Sequence, residues 1–260
     1  MVCYPHTSSH SGSDLRCGKI LAMTLYNEFA DAYNASYTQC SVPLIDRSFI
    51  RDVLGRDNQT GADFLFIGSY FSLLEDYQPE RLTICDLSLE MLKIGEKLLP
   101  NARSVLANAT KLPFQSTFQN ILMVGGVTAH MLRDADLQSC AHSLAQAIKP
   151  GGLLVIDAYA AESIADSTYF NGTVEFKLGG TRWYRTAKIL KRSNDPTMLE
   201  VSVSLQAIES QKSCHETLLQ RAFSIEELST PFLSHDFKLI RSSHDHVLGR
   251  RYLMFQFSGV

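Results

Sequence analysis

Phe64-Leu65-Phe66-Ile67-Gly68-Ser69, followed by Leu82-Thr83-Ile84-Cys85-Asp86-Leu87-Ser88, decides the fold of this chain. Each stretch is a continuous apolar run too short for a helix, and each ends in small or polar residues. A strand with one face in water alternates apolar and polar side chains, whereas a run apolar throughout is buried on both faces, as in the middle of a parallel sheet. Pro79 separates the two runs and ends a helical pattern expected over about Phe71–Tyr77. Strand, helix and strand in this order make a right-handed crossover unit.

The rhythm continues outward. Ser88 to Leu99 has helical apolar spacing, with Ser88 or Asp86 placed to cap its start and Pro100 to stop it. Short strands are expected at Ser104–Leu106 and Ile121–Val124, and a helix at Leu137–Ile148. Lys149-Pro150-Gly151-Gly152 is then a breaker cluster before the strand Leu153–Ile156. Upstream, Leu25, Phe29, Ala32 and Tyr33, then Ile45, Phe49, Ile50, Val53 and Leu54, follow helical spacing on either side of Pro43. After Tyr159 the texture changes. Segments 172–178, 182–191 and 198–208 are rich in β-branched and aromatic residues and read as an antiparallel meander, a cap over about 165–215. Ser224 with Glu227 forms a capping-box pattern for a helix to Leu233, and Phe237–Arg241 with Arg251–Phe257 close the chain as two strands.

Composition narrows the function. Hydrophobic residues at 45% and charged residues at 20% are those of a globular domain. The net charge of −3, without a long basic run, disfavours a nucleic-acid or anionic membrane surface. Six scattered cysteines with no C-x-x-C pair argue against a zinc ribbon or a disulfide scaffold and for a reducing, cytoplasmic setting. Residues 1–22 lack the apolar core of a signal peptide and read as a disordered leader, with Met23 an alternative start and 23–260 the folded domain.

In an open α/β sheet, ligands bind beyond the carboxyl ends of the strands, where strand order reverses. The residues just after each strand are therefore the candidates: Gly68 and Ser69, Asp86, Asn108 and Ala109, Gly125, Gly126 and His130, then Asp157 and Tyr159.

Four pieces in order carry a family resemblance. Tyr26-Asn-Glu-Phe29-Ala30-Asp-Ala-Tyr33, Cys85-Asp86-Leu-Ser88-x-x-Met91-Leu92, Asn108-Ala109-x-x-Leu112-Pro113-Phe114 and Lys149-Pro150-Gly151-Gly152 resemble segments of class I S-adenosylmethionine-dependent methyltransferases that act on small molecules. The resemblance spans residues 24–260. It implies a doubly wound, Rossmann-like, mostly parallel seven-stranded sheet with an antiparallel β cap after the fifth strand, and S-adenosylmethionine as cofactor. It implies that Asp86 accepts the ribose hydroxyls, although that residue also suits a helix N-cap, and that Asn108 replaces an acid facing the adenine amino group. Leu87, Met91 and Phe114 are placed to wall the adenine or to pack as core, and Gly68, Ser69, Ala109 and Gly125 complete the cofactor set. The chain departs from the family's glycine-rich first loop. Only Gly68 remains in Gly68-Ser69-Tyr70-Phe71-Ser72, and Phe66 stands near the usual acid, so the methionine half of the site is rebuilt.

His130 is the candidate base, against a structural role in its loop. Tyr26 and Tyr33 are candidates to face the sulfonium with their π-electron density, against simple helix packing. Trp183, Tyr184 and Arg185 lie in the cap, where specificity for the acceptor would be written or the sheet simply packed. His215 and Arg221 flank a strand-to-helix connection. His244-Asp-His246 has no clear third ligand, so a solvated loop is expected there and no metal. The function implied is methyl transfer to an N or O nucleophile of a small-molecule substrate. One alternative is intramolecular cyclisation or elimination of the cofactor with release of methylthioadenosine, and another is a fold that has lost the cofactor.

Overall fold

The computed structural model describes residues 23–41, 48–49, 62–74, 81–192, 195 and 197–259. The expected leader 1–22 and the helical positions Ile45, Ile50, Val53 and Leu54 lie outside them.

Strands β1 (Asp63–Ile67), β2 (Arg81–Asp86), β3 (Arg103–Leu106), β4 (Phe118–Met123) and β5 (Ile148–Ala160) pair in parallel in the order β3-β2-β1-β4-β5. The strand β11 (Arg250–Phe257) runs antiparallel beside β5 from Leu153 to Tyr159, and β10 (Phe237–Asp245) pairs antiparallel with β11. These are the seven expected strands. Strand order reverses at β1, which has β2 on one side and β4 on the other.

The continuous apolar runs have their expected cause. Phe64 and Phe66 point into one layer with Ile84, Leu122 and Val155, while Leu65 and Ile67 point into the other with Ile121, Met123, Leu154 and Ile156. Helix α1 (Ala30–Cys40) and helix α2 (Leu89–Leu98) share a core with the first set, and α3 (Asp134–Ala147) and α4 (Ile225–Leu233) cover the second. Each fully buried Leu, Ile or Phe contributes about 1.5–3 kcal/mol relative to exposure, so both helical layers stabilise the sheet. The Ser88 hydroxyl caps α2 by accepting from Met91 N (3.1 Å), and Ser224 with Glu227 makes the reciprocal capping box of α4.

The sheet is larger than seven strands. Strands β6 (Gly172–Leu178), β7 (Thr181–Arg192), β8 (Met198–Ala207) and β9 (Ser213–Phe223) form an antiparallel meander. It joins the main sheet where Tyr159 and Ala160 pair with Ala222 and Phe223, giving eleven strands among the described residues. Three of the four meander strands are legible in the sequence. The fourth hides because its inward positions Cys214, Glu216, Leu218 and Gln220 mix polar with apolar residues.

Several local expectations are corrected. The helix expected from Phe71 is a 3-10 turn over Phe71–Leu74, with 75–77 outside the described residues. Leu25 belongs to a separate 3-10 turn, Thr24–Tyr26, and α1 begins only at Ala30. Lys149-Pro150-Gly151-Gly152 does not precede the strand but lies within β5 as a bulge. Phe118 pairs with Ile148 and Asn120 with Leu153, so the extra residues loop outward. His244 is no loop residue either. It sits on β10 opposite Arg251, with Nε2 2.8 Å from the Ser163 hydroxyl.

Candidate cofactor and acceptor pocket

At the reversal of strand order, the loops after β1, β2, β3 and β4 enclose a pocket. Gly68 and Ser69, Asp86 and Leu87, Met91, Asn108 and Ala109, and Gly125 all line it, and so do Tyr26 and His130. Tyr33 does not. It packs behind Tyr26 with ring centroids 4.9 Å apart and hydroxyls at 3.4 Å. Phe114 also stands away, edge-on to Phe118 in the opposite layer.

Backbone shape sets the pocket floor. Gly68 extends the β-ladder by donating from N to Cys85 O (2.9 Å), then turns at φ +106°. A Cβ there would stand 2.6 Å from the Val124 carbonyl oxygen, so only glycine lets the first and fourth loops meet. Gly125 and Gly126 also have positive φ, and both are held by one carboxylate. Asp157 accepts from Gly125 N (3.1 Å) through Oδ2 and from Gly126 N (3.0 Å) through Oδ1. Asp157 is ion-paired with Arg250 of β11, whose Nη2 donates to the Tyr70 hydroxyl (2.9 Å). Both pocket loops thus rest on a single buried network. Asp157, expected just after its strand, lies within β5, and its partner Arg250 is 93 residues away, beyond the reach of any local signal.

The N-terminal segment closes the other side. Glu216 of β9 accepts from Thr24 N (2.8 Å) and Leu25 N (3.2 Å), and the Ser88 hydroxyl donates to Tyr26 O (2.7 Å). Gln39 exchanges two hydrogen bonds with the backbone of Lys177 on β6. The segment is therefore clamped between the cap and the mouth of the pocket. Tyr37 of α1 is a lining residue that sequence reading missed, one turn beyond Tyr33.

Asp86, His130 and Tyr26 face this space, and Tyr37, Arg133 and Asp136 line it as well. Burial raises the Asp86 carboxyl to about 6, opposed by the backbone N–H groups of Ser88 and Leu87, so it is mainly ionised at neutral pH. Its Oδ1 accepts from Ser88 N at 2.8 Å. Burial lowers His130 to about 4, which leaves the ring neutral. The His130 Nε2 lies 3.2 Å from the Tyr26 hydroxyl. Burial, reinforced by Tyr37, holds the Tyr26 phenol well above its usual value, so it keeps its proton. Asn108 turns its amide oxygen to Thr110 N (3.0 Å), bracing the loop after β3.

Other candidates sit elsewhere. His215 is exposed on β9, and Arg221 is tied to Asp134 (2.6 Å) and Glu227 (3.5 Å). Among the described residues no group of three His, Cys, Asp or Glu side chains is arranged to hold a metal ion.

A doubly wound sheet with a glycine-turned pocket at the reversal point, and a carboxylate ending its second strand, is an arrangement that suits a ribose-containing cofactor. Residues 67–152 match the family model described as a methyltransferase domain. A structure of an S-adenosylmethionine-dependent methyltransferase from Clostridium acetobutylicum superposes with a TM-score of 0.69 at 16% identity, covering 90% of this chain and 99% of that one. Streptomyces venezuelae DesVI gives 0.69 at 16% identity, covering 95% and 99%. The amino pentose methyltransferase CalS10 from Micromonospora echinaspora gives 0.63 at 13% identity, covering 97% and 99%. No curated protein matches the sequence. The chain shares its fold with S-adenosylmethionine-dependent methyltransferases, and its residues 67–152 are matched by a methyltransferase-domain family.

The residues present fit that family's cofactor. The Asp86 carboxylate offers acceptor capacity beyond its one bond to Ser88, as a ribose diol requires. At Gly68 the missing Cβ lets the first loop pack directly on Val124 and Val127, which holds pocket-lining backbone in place.

Proposed function

We propose that the chain methylates an N or O nucleophile of a small metabolite, using S-adenosylmethionine. The observation that carries the reading is Asp86 at the end of β2, at one pocket with Gly68, Gly125, Tyr26 and His130. When bound, the cofactor supplies an electrophilic methyl group on a sulfonium. The chain's own residues then have separable tasks. Asp86 holds the ribose hydroxyls, each charge-assisted bond contributing about 1.5–3 kcal/mol. Leu87 and Met91 flank the base, and Asn108 with Ala109 borders it. Gly68, Ser69 and Gly125 present backbone to the methionine half.

Tyr26 and His130 face the acceptor's side. A neutral imidazole accepts a hydrogen bond from the acceptor's N–H or O–H and orients its lone pair, which is the main task in a direct displacement. With a conjugate acid near 4, His130 is a weak proton acceptor, so an already neutral amine suits it better than an alcohol. Tyr33 supports Tyr26 from behind. A small-molecule acceptor, a cytoplasmic setting and a cap that writes specificity belong to the same reading. No helix among the described residues is long and apolar enough to cross a membrane.

One feature favours a second reading. The first loop passes from Gly68 and Ser69 directly to the buried Tyr70 and a 3-10 turn. A methionine half held so differently suits cleavage or cyclisation of the cofactor, which releases methylthioadenosine. Calorimetric titration with S-adenosylmethionine and S-adenosylhomocysteine, followed by mass spectrometry, separates the cases. Binding with an intact cofactor supports a methyltransferase awaiting its acceptor. Methylthioadenosine release supports the second reading, and no binding removes both.

A further inference from the structure

The first loop leads from Gly68 and Ser69 into Tyr70, whose side chain is fully buried. Three parts of the chain, far apart in sequence, meet on this one residue. Its ring packs under the turn after β4, where a Cβ on Gly125 would stand 3.1 Å from it. Its hydroxyl accepts from Arg250 Nη2 (2.9 Å), and the Ser41 hydroxyl lies 3.1 Å away. Ser41 is the buried residue that ends α1, and its N donates to Tyr37 O (2.9 Å). The ring centroids of Tyr37 and Tyr70 are 4.6 Å apart, and Tyr37 lines the pocket.

The donor inventory gives this junction a direction. An arginine side chain only donates, so the Tyr70 oxygen accepts from Arg250 and its own proton is left for Ser41. A continuous hydrogen-bonded route then runs from the amides of Gly125 and Gly126 through Asp157, Arg250 and Tyr70 to Ser41. Bonds in such a buried chain reinforce one another. The neighbouring side chains of α1 lead elsewhere: Thr38 to Ser72, Gln39 to Lys177 and Cys40 to Glu175.

We propose that Tyr70 is a positioning residue that couples the pocket floor to α1, so that filling the site between Gly68, Asp86 and Gly125 seats the helix that carries Tyr37. Tyr70 stands behind the pocket lining and acts through Gly125 and Ser41. This rests on the methyltransferase reading and gives the first loop a task within it.

The test follows amide hydrogen exchange by mass spectrometry in the full chain, with and without saturating S-adenosylhomocysteine. Calorimetry on each protein first gives the affinity and so the concentration that saturates. In the unaltered chain the ligand is expected to slow exchange over residues 30–41 by about fivefold or more, the lower end of ordinary coupling between sites. Tyr70→Phe keeps the ring, and Ser41→Ala leaves Arg250 its phenol. Each is expected to cut that slowing to about twofold or less with the ligand still bound. Exchange in β4 and β5 is the control on folding, and Ser41→Ala keeps the test decisive if Tyr70→Phe does not fold. A merely structural Tyr70 would speed exchange in α1 with and without ligand alike, leaving the ratio between them unchanged. That result, or no slowing in the unaltered chain, overturns the coupling while the methyltransferase reading survives. If S-adenosylhomocysteine does not bind the unaltered chain, both fall.

Discussion

Asp157 on β5 and Arg250 at the start of β11 form an ion pair in which each side chain is 1% exposed. The same carboxylate holds the amides of Gly125 and Gly126, and the same guanidinium holds Tyr70. Breaking such a pair leaves an uncompensated buried charge, at a cost of about 3–5 kcal/mol. Asp157→Asn and Arg250→Met are each expected to destabilise the protein by that amount in urea unfolding. The double variant should cost less than the sum of the two. A strictly additive double variant would show that the two side chains act separately.

Asp86 links affinity to pH. Its carboxyl titrates near 6 when folded, above its ordinary value, because burial disfavours the charge. A raised acid makes its full contribution to stability below its unfolded pKa and loses it as pH rises through about 6. The unliganded Asp86→Asn protein should therefore be at least as stable as the parent at pH 8. Its affinity for S-adenosylhomocysteine should fall by about 10–100-fold, since charge-assisted bonds are lost. In the parent that affinity should weaken as pH drops through about 6, and in the variant it should not.

His130 predicts the opposite sign. Burial lowers its pKa to about 4, so the unfolded chain binds the extra proton first. Its contribution is complete above the ordinary histidine value and is lost as pH falls toward 4. Once an acceptor is in hand, kcat should show no inflection from this ring between pH 6 and 9. His130→Ala should lower kcat by about 10²-fold or more, in the range of a positioned polar group. An unchanged kcat would return the ring to a structural role.

Gly68→Ala tests the floor of the pocket. The position combines φ +106° with a carbonyl oxygen 2.6 Å from the added Cβ, and that oxygen is backbone and has little room to yield. A cost of about 2 kcal/mol or more is expected, seen as a Tm lower by about 5 °C. Gly151→Ala, at a positive φ but with open space around it, should cost less.

The parts legible in the sequence were those whose cause is local. Phe64–Ile67 reads as a strand because both its faces are buried, and Ser224 with Glu227 reads as a helix start because the cap is self-contained. Pocket positions followed from strand ends alone, which is why Gly68, Asp86, Asn108 and Gly125 could be named without a structure. What escaped depends on distant partners. Arg250 has meaning only opposite Asp157, and Tyr37 lines the pocket only because Gln39 and Glu216 clamp its segment to the cap. The bulge at Lys149–Gly152 escaped for another reason: glycine and proline signal a break but not whether pairing resumes beyond it.

The meander has a consequence for how this scaffold can diversify. The chain leaves the main sheet at Ala160 and returns at Phe223, and those two residues are paired neighbours. Everything between them is an excursion whose two ends already meet, so altering its length adds little to the entropy of closing it. The reversal-point loops around Gly68, Asp86 and Gly125 lie outside the excursion. The whole meander can thus be exchanged like a cartridge, by grafting one continuous segment, without redrawing the floor of the pocket.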